Sequence, residues 1–130
     1  MLHATRMFEN KDGFHLDLFI GRVVGKLALS ESMISRAELF KAYSNLFVYL
    51  VSREDIFLFK GLASEGRKRD LPDLQVLYPN LNWKIIEDEL NSQSLGDDLR
   101  ALFIRRLEAF SQAYQLEVPI LSRLKKQGRN

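Results

Sequence analysis

The sequence predicts an all-α fold, a compact bundle of about five helices with room for a minor β-element near the N-terminus. Three observations carry that expectation. Apolar residues recur at three- and four-residue steps over long stretches, as helices with one buried face require. Serine followed three residues on by aspartate, at Ser52/Asp55 and Ser94/Asp97, has the form of a helix-opening capping box. The connections are short, and the chain has neither the repeat period of a solenoid nor a low-complexity tract.

Taken in order, residues 1–13 have no clear period and end in the turn-like Lys11-Asp12-Gly13, so they form a partly mobile N-terminal segment. The single helical domain spans residues 14–118. Its first helix is expected from Leu16, with Phe19, Ile20, Val23, Val24 and Leu27 on one stripe; alternation of Phe14, Leu16 and Leu18 with His15 and Asp17 also allows a short strand there. Ser30 is the expected cap of a long central helix carrying Met33, Ala37, Phe40, Phe47 and Val51, apolar nearly all round by Leu46. Ser52 caps the next helix, which runs to about Ser64. Arg67-Lys68-Arg69 lies in a loop between Gly66 and Pro72, and a short apolar piece, Leu74 to Tyr78, stops at Pro79. Asn80 is placed to cap a helix with Leu81, Trp83, Ile85, Ile86 and Leu90. From Ser94, the residues Leu95, Leu99, Phe103, Leu107, Phe110 and Tyr114 stripe a long helix that Pro119 ends, leaving residues 119–130 as a basic tail.

Composition bounds the function. The 130 residues hold 19 basic and 17 acidic side chains and no cysteine, which excludes disulfides, thiolate zinc sites and cysteine nucleophiles and favours a reducing, cytoplasmic setting. A net charge of +2 permits a nucleic-acid partner without demanding one. No apolar run is long enough for a membrane span, and residues 1–13 lack the apolar centre of a signal peptide.

Enzyme motifs are missing: there is no nucleophile elbow, phosphate loop or dinucleotide fingerprint, and no motif calls for a cofactor, a metal or a small-molecule substrate. His15 and Asp17 supply at most two ligands where a closed metal site needs about four. Glu87, Asp88 and Glu89 follow one another, so on a helix they diverge by about 100° each and read as a solvated face. The chain is therefore expected not to be an enzyme.

The run Val23 to Ala37 is the informative one, opening its second half with Leu29-Ser30-Glu31-Ser32-Met33-Ile34-Ser35-Arg36. It resembles a bacterial helix-turn-helix, with Val23, Leu27, Leu29, Ile34 and Ala37 at the helix-packing positions and Ala28 where the turn glycine usually stands. The resemblance implies DNA binding, with Ser30 and Ser32 on phosphates and Ser35 and Arg36 near base edges. The segment Leu27 to Tyr43, with a vaguer echo near Gly96 to Leu107, is also similar to small helical DNA phosphorothioation accessory proteins of the DndE type, which implies the same partner. Two core helices joined by a serine-capped turn account for the same residues.

Lys26, Arg67, Lys68, Arg69, Lys125 and Lys126 complete the candidate nucleic-acid-binding set, since phosphate contacts need only lysine or arginine at suitable places. Between Arg100 and Asn130, seven basic residues face only Glu108 and Glu117. Two readings stand: a DNA-binding accessory or regulatory protein acting as a homo-oligomer, and an adaptor or assembly subunit that binds another protein through an apolar helix face. The run Leu46 to Val51 is the candidate for that face.

Overall fold

The computed structural model describes residues 6–9, 15–18, 22–23, 27–63 and 71–127. The chain is mostly helical but not all-α. Among the described residues, three two-stranded antiparallel sheets precede or interrupt six helices. The N-terminal part pairs β1 (Arg6–Glu9) with β2 (His15–Leu18) and β3 (Arg22–Val23) with β4 (Leu27–Ala28). The strand reading of Phe14 to Phe19 thus describes β2 better than the helix expected from Leu16.

The second correction concerns the long helix expected after Ser30. Helix α1 covers only Glu31–Arg36, because Ala37 turns extended (φ −67°, ψ 141°) and the chain continues as a hairpin, β5 (Glu38–Tyr43) with β6 (Leu46–Leu50). Ser44 and Asn45 form the two-residue turn. The run is apolar at both the helical and the strand period, so the period alone does not choose between them. Its many aromatic and β-branched residues (Phe40, Tyr43, Phe47, Val48, Tyr49, Val51), with a serine-asparagine turn at its centre, favour the pleated form.

Beyond the hairpin the helices are α2 (Arg53–Ala63), α3 (Leu71–Leu77), α4 (Trp83–Ser92), α5 (Asp97–Tyr114) and α6 (Leu121–Gln127). The Ser52 hydroxyl accepts from the Asp55 N–H at 3.2 Å, as the capping box at that position predicts. The other two caps differ from expectation. Asn82 rather than Asn80 caps α4, accepting from Lys84 N–H, while Asn80 takes a left-handed φ of 64°. Gly96 rather than Ser94 stands at the start of α5 and makes no side-chain cap bond.

Helix α2 packs on α3, α4 and α5, and α5 on α6. The buried core takes Phe57, Leu58 and Leu62 from α2, Ile86 and Leu90 from α4, and Phe103, Leu107 and Phe110 from the predicted stripe of α5. Phe57 meets Trp83 edge-on at 5.4 Å, and Phe110 stands at 6.2 Å from Phe57 and 5.8 Å from Tyr78. Gly61 lets α2 and α5 approach closely: a Cβ there would lie 2.5 Å from Phe103 Cε1. The expected basic tail is structured too, since Val118, Ile120 and Leu124 are buried and bind α6 to the core.

Candidate functional site

Helix α1 is anchored by Met33, which is fully buried, and by a set of polar contacts that reach two other elements, α2 and α4. Arg36 binds Asp55 of α2 through Nε (3.1 Å) and Nη2 (2.6 Å), and Nη2 also reaches Glu89 of α4 at 2.6 Å. Ser30 caps α1 by accepting from Met33 N–H, and its hydroxyl lies 3.0–3.1 Å from both Glu89 oxygens. Gln93, one turn beyond Glu89, donates to Glu89 Oε2 and to the Ala28 carbonyl and accepts from the Ala28 N–H. Its amide therefore serves β4 as a neighbouring strand would.

Asp55 and Glu89 are only 1% and 2% exposed, and each is hydrogen-bonded to the Arg36 guanidinium and to neutral donors, as buried polar groups require. The bond to Asp55 is the foremost cause that raises the Arg36 guanidinium above its ordinary value. Burial alone would raise the Glu89 carboxyl, but the bonds from Arg36, Gln93 and Ser30 outweigh it and hold the group below its usual value. Both groups thus stay charged around neutrality, which suits holding elements together and not the proton exchange that general acid-base catalysis requires.

The position of this cluster matters more than its chemistry. Arg36 immediately precedes the hairpin segment and Ser52 immediately follows it, and both bind Asp55. The two ends of the segment are thereby clamped to the helical core while the strands project from it.

Cross-strand pairs fall on one face of a hairpin, so the register sorts its side chains. Leu39, Ala42, Phe47 and Tyr49 share one face, which carries no charged residue. Glu38, Lys41, Tyr43, Leu46, Val48 and Leu50 share the other. Phe40 lies at the irregularity between Leu39 and Lys41, where a bulge shifts the pairing. On the charge-free face Phe47 is 62% and Tyr49 57% exposed. That face runs on into a groove of about 420 Å³ lined by Leu29, Ile34, Ala37, Tyr49 and Val51. Among the described residues, every exposed large apolar side chain except Val76 lies between Leu29 and Leu50.

The residues singled out for nucleic acid that the structure describes are divided between α1, with its cap, and α6. Ser32 and Ser35 are exposed on α1, whereas Ser30 and Arg36 are tied to Glu89. Lys125 and Lys126 are on α6, where Lys125 is paired with Glu108. Lys26, Arg67, Lys68 and Arg69 lie outside the described residues. Residues two apart on a helix are about 200° apart, and α1 meets α4 at Glu89 while α6 meets it through Arg123 at Glu87. Arg36 of α1 and Arg123 of α6 therefore reach α4 at positions on different sides of that helix. Ahead of α1, the described residues 22–23 and 27–28 are paired as strands.

The acidic triplet Glu87-Asp88-Glu89, expected to form a solvated face, has two buried members, Glu87 and Glu89. Glu87 binds Arg123, Asp88 binds Lys84 and Glu89 binds Arg36. The hydrogen bond from Arg123 is the main cause holding the Glu87 carboxyl below its usual value. Among the described residues, no group of three or more histidine, cysteine or acidic side chains could hold a metal ion, and no helix is long and apolar enough to cross a membrane. The chain matches no protein-family model, curated protein or solved structure.

Proposed function

We propose that the protein is a non-enzymatic docking or assembly subunit that engages another protein through its β5–β6 hairpin. The observation that carries this reading is the apolar surface from Leu29 to Leu50, raised on a clamped hairpin and free of charge on one face. Five of the nine exposed side chains, Leu29, Ile34, Leu39, Phe47 and Tyr49, lie on the charge-free face and its groove; at about 100 Å² each they amount to roughly 500 Å², in the upper part of the about 300–600 Å² range of the largest, often functional, patch on a monomer. The recognising element is a hairpin and not the apolar helix face expected from the sequence.

The nucleic-acid reading ranks second. Arg36, its central residue, already has two carboxylate partners, so a phosphate would have to compete with both. A photo-crosslinking amino acid at Phe47 or Tyr49 tests the docking reading in cells, with Val76 as an exposed control outside the patch. Discrete adducts at 47 and 49 but not at 76 are expected. Equal labelling at all three positions, or none, removes the hairpin from function. Retention on DNA that falls steeply with salt and is lost in Arg36→Glu would reinstate the nucleic-acid reading.

A further inference from the structure

We infer that the charge-free face of the hairpin receives a second copy of this chain, the two hairpins stacking face to face about a two-fold axis. The inference rests on the docking reading and adds its occupant. Three features of the surface favour a copy of itself.

Its extent suffices: Leu29, Ile34, Leu39, Phe47 and Tyr49, at about 100 Å² each, give roughly 500 Å² per copy, so that two copies bury about 1,000 Å², the size at which a specific interface begins. Its charge is compatible, because Leu39, Ala42, Phe47 and Tyr49 bring no ionised group to the contact while Glu38 and Lys41 project from the opposite face. Two copies can then meet without burying an unpaired charge. Its shape is self-complementary. Phe47, near the turn, is a protruding aromatic, and the groove of Leu29, Ile34 and Val51 lies at the clamped end. Four residues of strand separate Phe47 from Val51, about 13 Å, so an antiparallel stack brings each Phe47 over the groove of the other copy. A two-fold axis makes both contacts at once, as a closed dimer requires.

The test is sedimentation equilibrium of the full chain over micromolar concentrations, for the unaltered protein and for Phe47→Glu, Ile34→Glu and Tyr43→Lys. The unaltered protein and Tyr43→Lys, which changes the opposite face, should be dimeric. Phe47→Glu and Ile34→Glu should weaken the dimer on the order of a hundredfold while keeping the helical circular dichroism. Because the chain has no cysteine, Phe47→Cys mixed with Ile34→Cys and oxidised should form a mixed disulfide dimer in preference to either like pair. A monomeric unaltered protein, a dimer insensitive to both glutamates, or dominance of like-pair disulfides overturns the inference. If the protein is monomeric and position 47 still crosslinks to a different protein in cells, the docking reading stands with another occupant. Without such crosslinks both fall.

Discussion

Replacing Arg36 by methionine should unclamp the hairpin and destabilise the whole chain. The substitution keeps much of the side chain's length but leaves Asp55 and Glu89, each about 1% exposed at the side chain, without their shared cation. Removing one partner of a buried ion pair costs about 3–5 kcal/mol. The lower end applies, about 3 kcal/mol, because Arg36 is itself 24% exposed and both carboxylates keep neutral donors, Ser52 for Asp55 and Ser30 and Gln93 for Glu89. Urea unfolding followed by circular dichroism measures this directly.

The pH dependence adds a signature that simple loss of packing would not produce. In the unaltered protein the Glu89 carboxyl is held below its ordinary value, so its contribution is present above the unfolded pKa of about 4.3 and is lost as pH falls through the depressed folded value. Without Arg36, burial drives the same carboxyl upward, and the variant's deficit is largest near neutrality and shrinks on acidification. The two stabilities should therefore converge toward acid. A deficit below about 1 kcal/mol at neutral pH, the range of an exposed ion pair, or one that does not change with pH, would refute the reasoning.

Other consequences are separately measurable. Gly61→Ala places a methyl group against the Phe103 ring and should cost about 1–3 kcal/mol in thermal or urea unfolding, with relief when combined with Phe103→Leu. Glu87→Gln should flatten the acid limb of the stability profile, because the depressed Glu87 carboxyl contributes above its unfolded pKa and loses that contribution as pH falls through the folded one. An unchanged acid limb would mean that the Arg123 pairing has no effect on folding. Gln93→Leu removes both contacts to the Ala28 backbone and should speed amide hydrogen exchange at Ala28 while leaving α5 protected.

The helical part of the molecule was largely legible. The stripe Phe103, Leu107, Phe110 has a clean helical period and buries as such, and Ser52 with Asp55 caps α2 where the pattern places it. The elements whose type differs from expectation lie between His15 and Leu50, where competing periods coexist. Phe40 to Val51 is apolar on both sides of a strand and all round a helix, so amphipathicity carries no information there and only side-chain shape distinguishes the two. In the tail, Arg123, Lys125 and Lys126 give the segment a solvated character in sequence, while Ile120 and Leu124, spaced four apart, dock it on the core. The clamp was illegible for a different reason. Arg36, Asp55 and Glu89 are far apart in sequence, and only the tertiary fold joins them; an ion pair across 53 residues leaves no local spacing to detect.

Because both ends of the hairpin segment are fastened at Asp55, the helices need to know only where the strands leave and return, not what lies between. Strand length, tip sequence and face chemistry can drift or be exchanged without disturbing Phe57, Ile86 or Phe110 behind them. The protein is in this sense a socket with a replaceable head, and grafting a foreign hairpin between Ala37 and Val51 would be a practical route to retarget it.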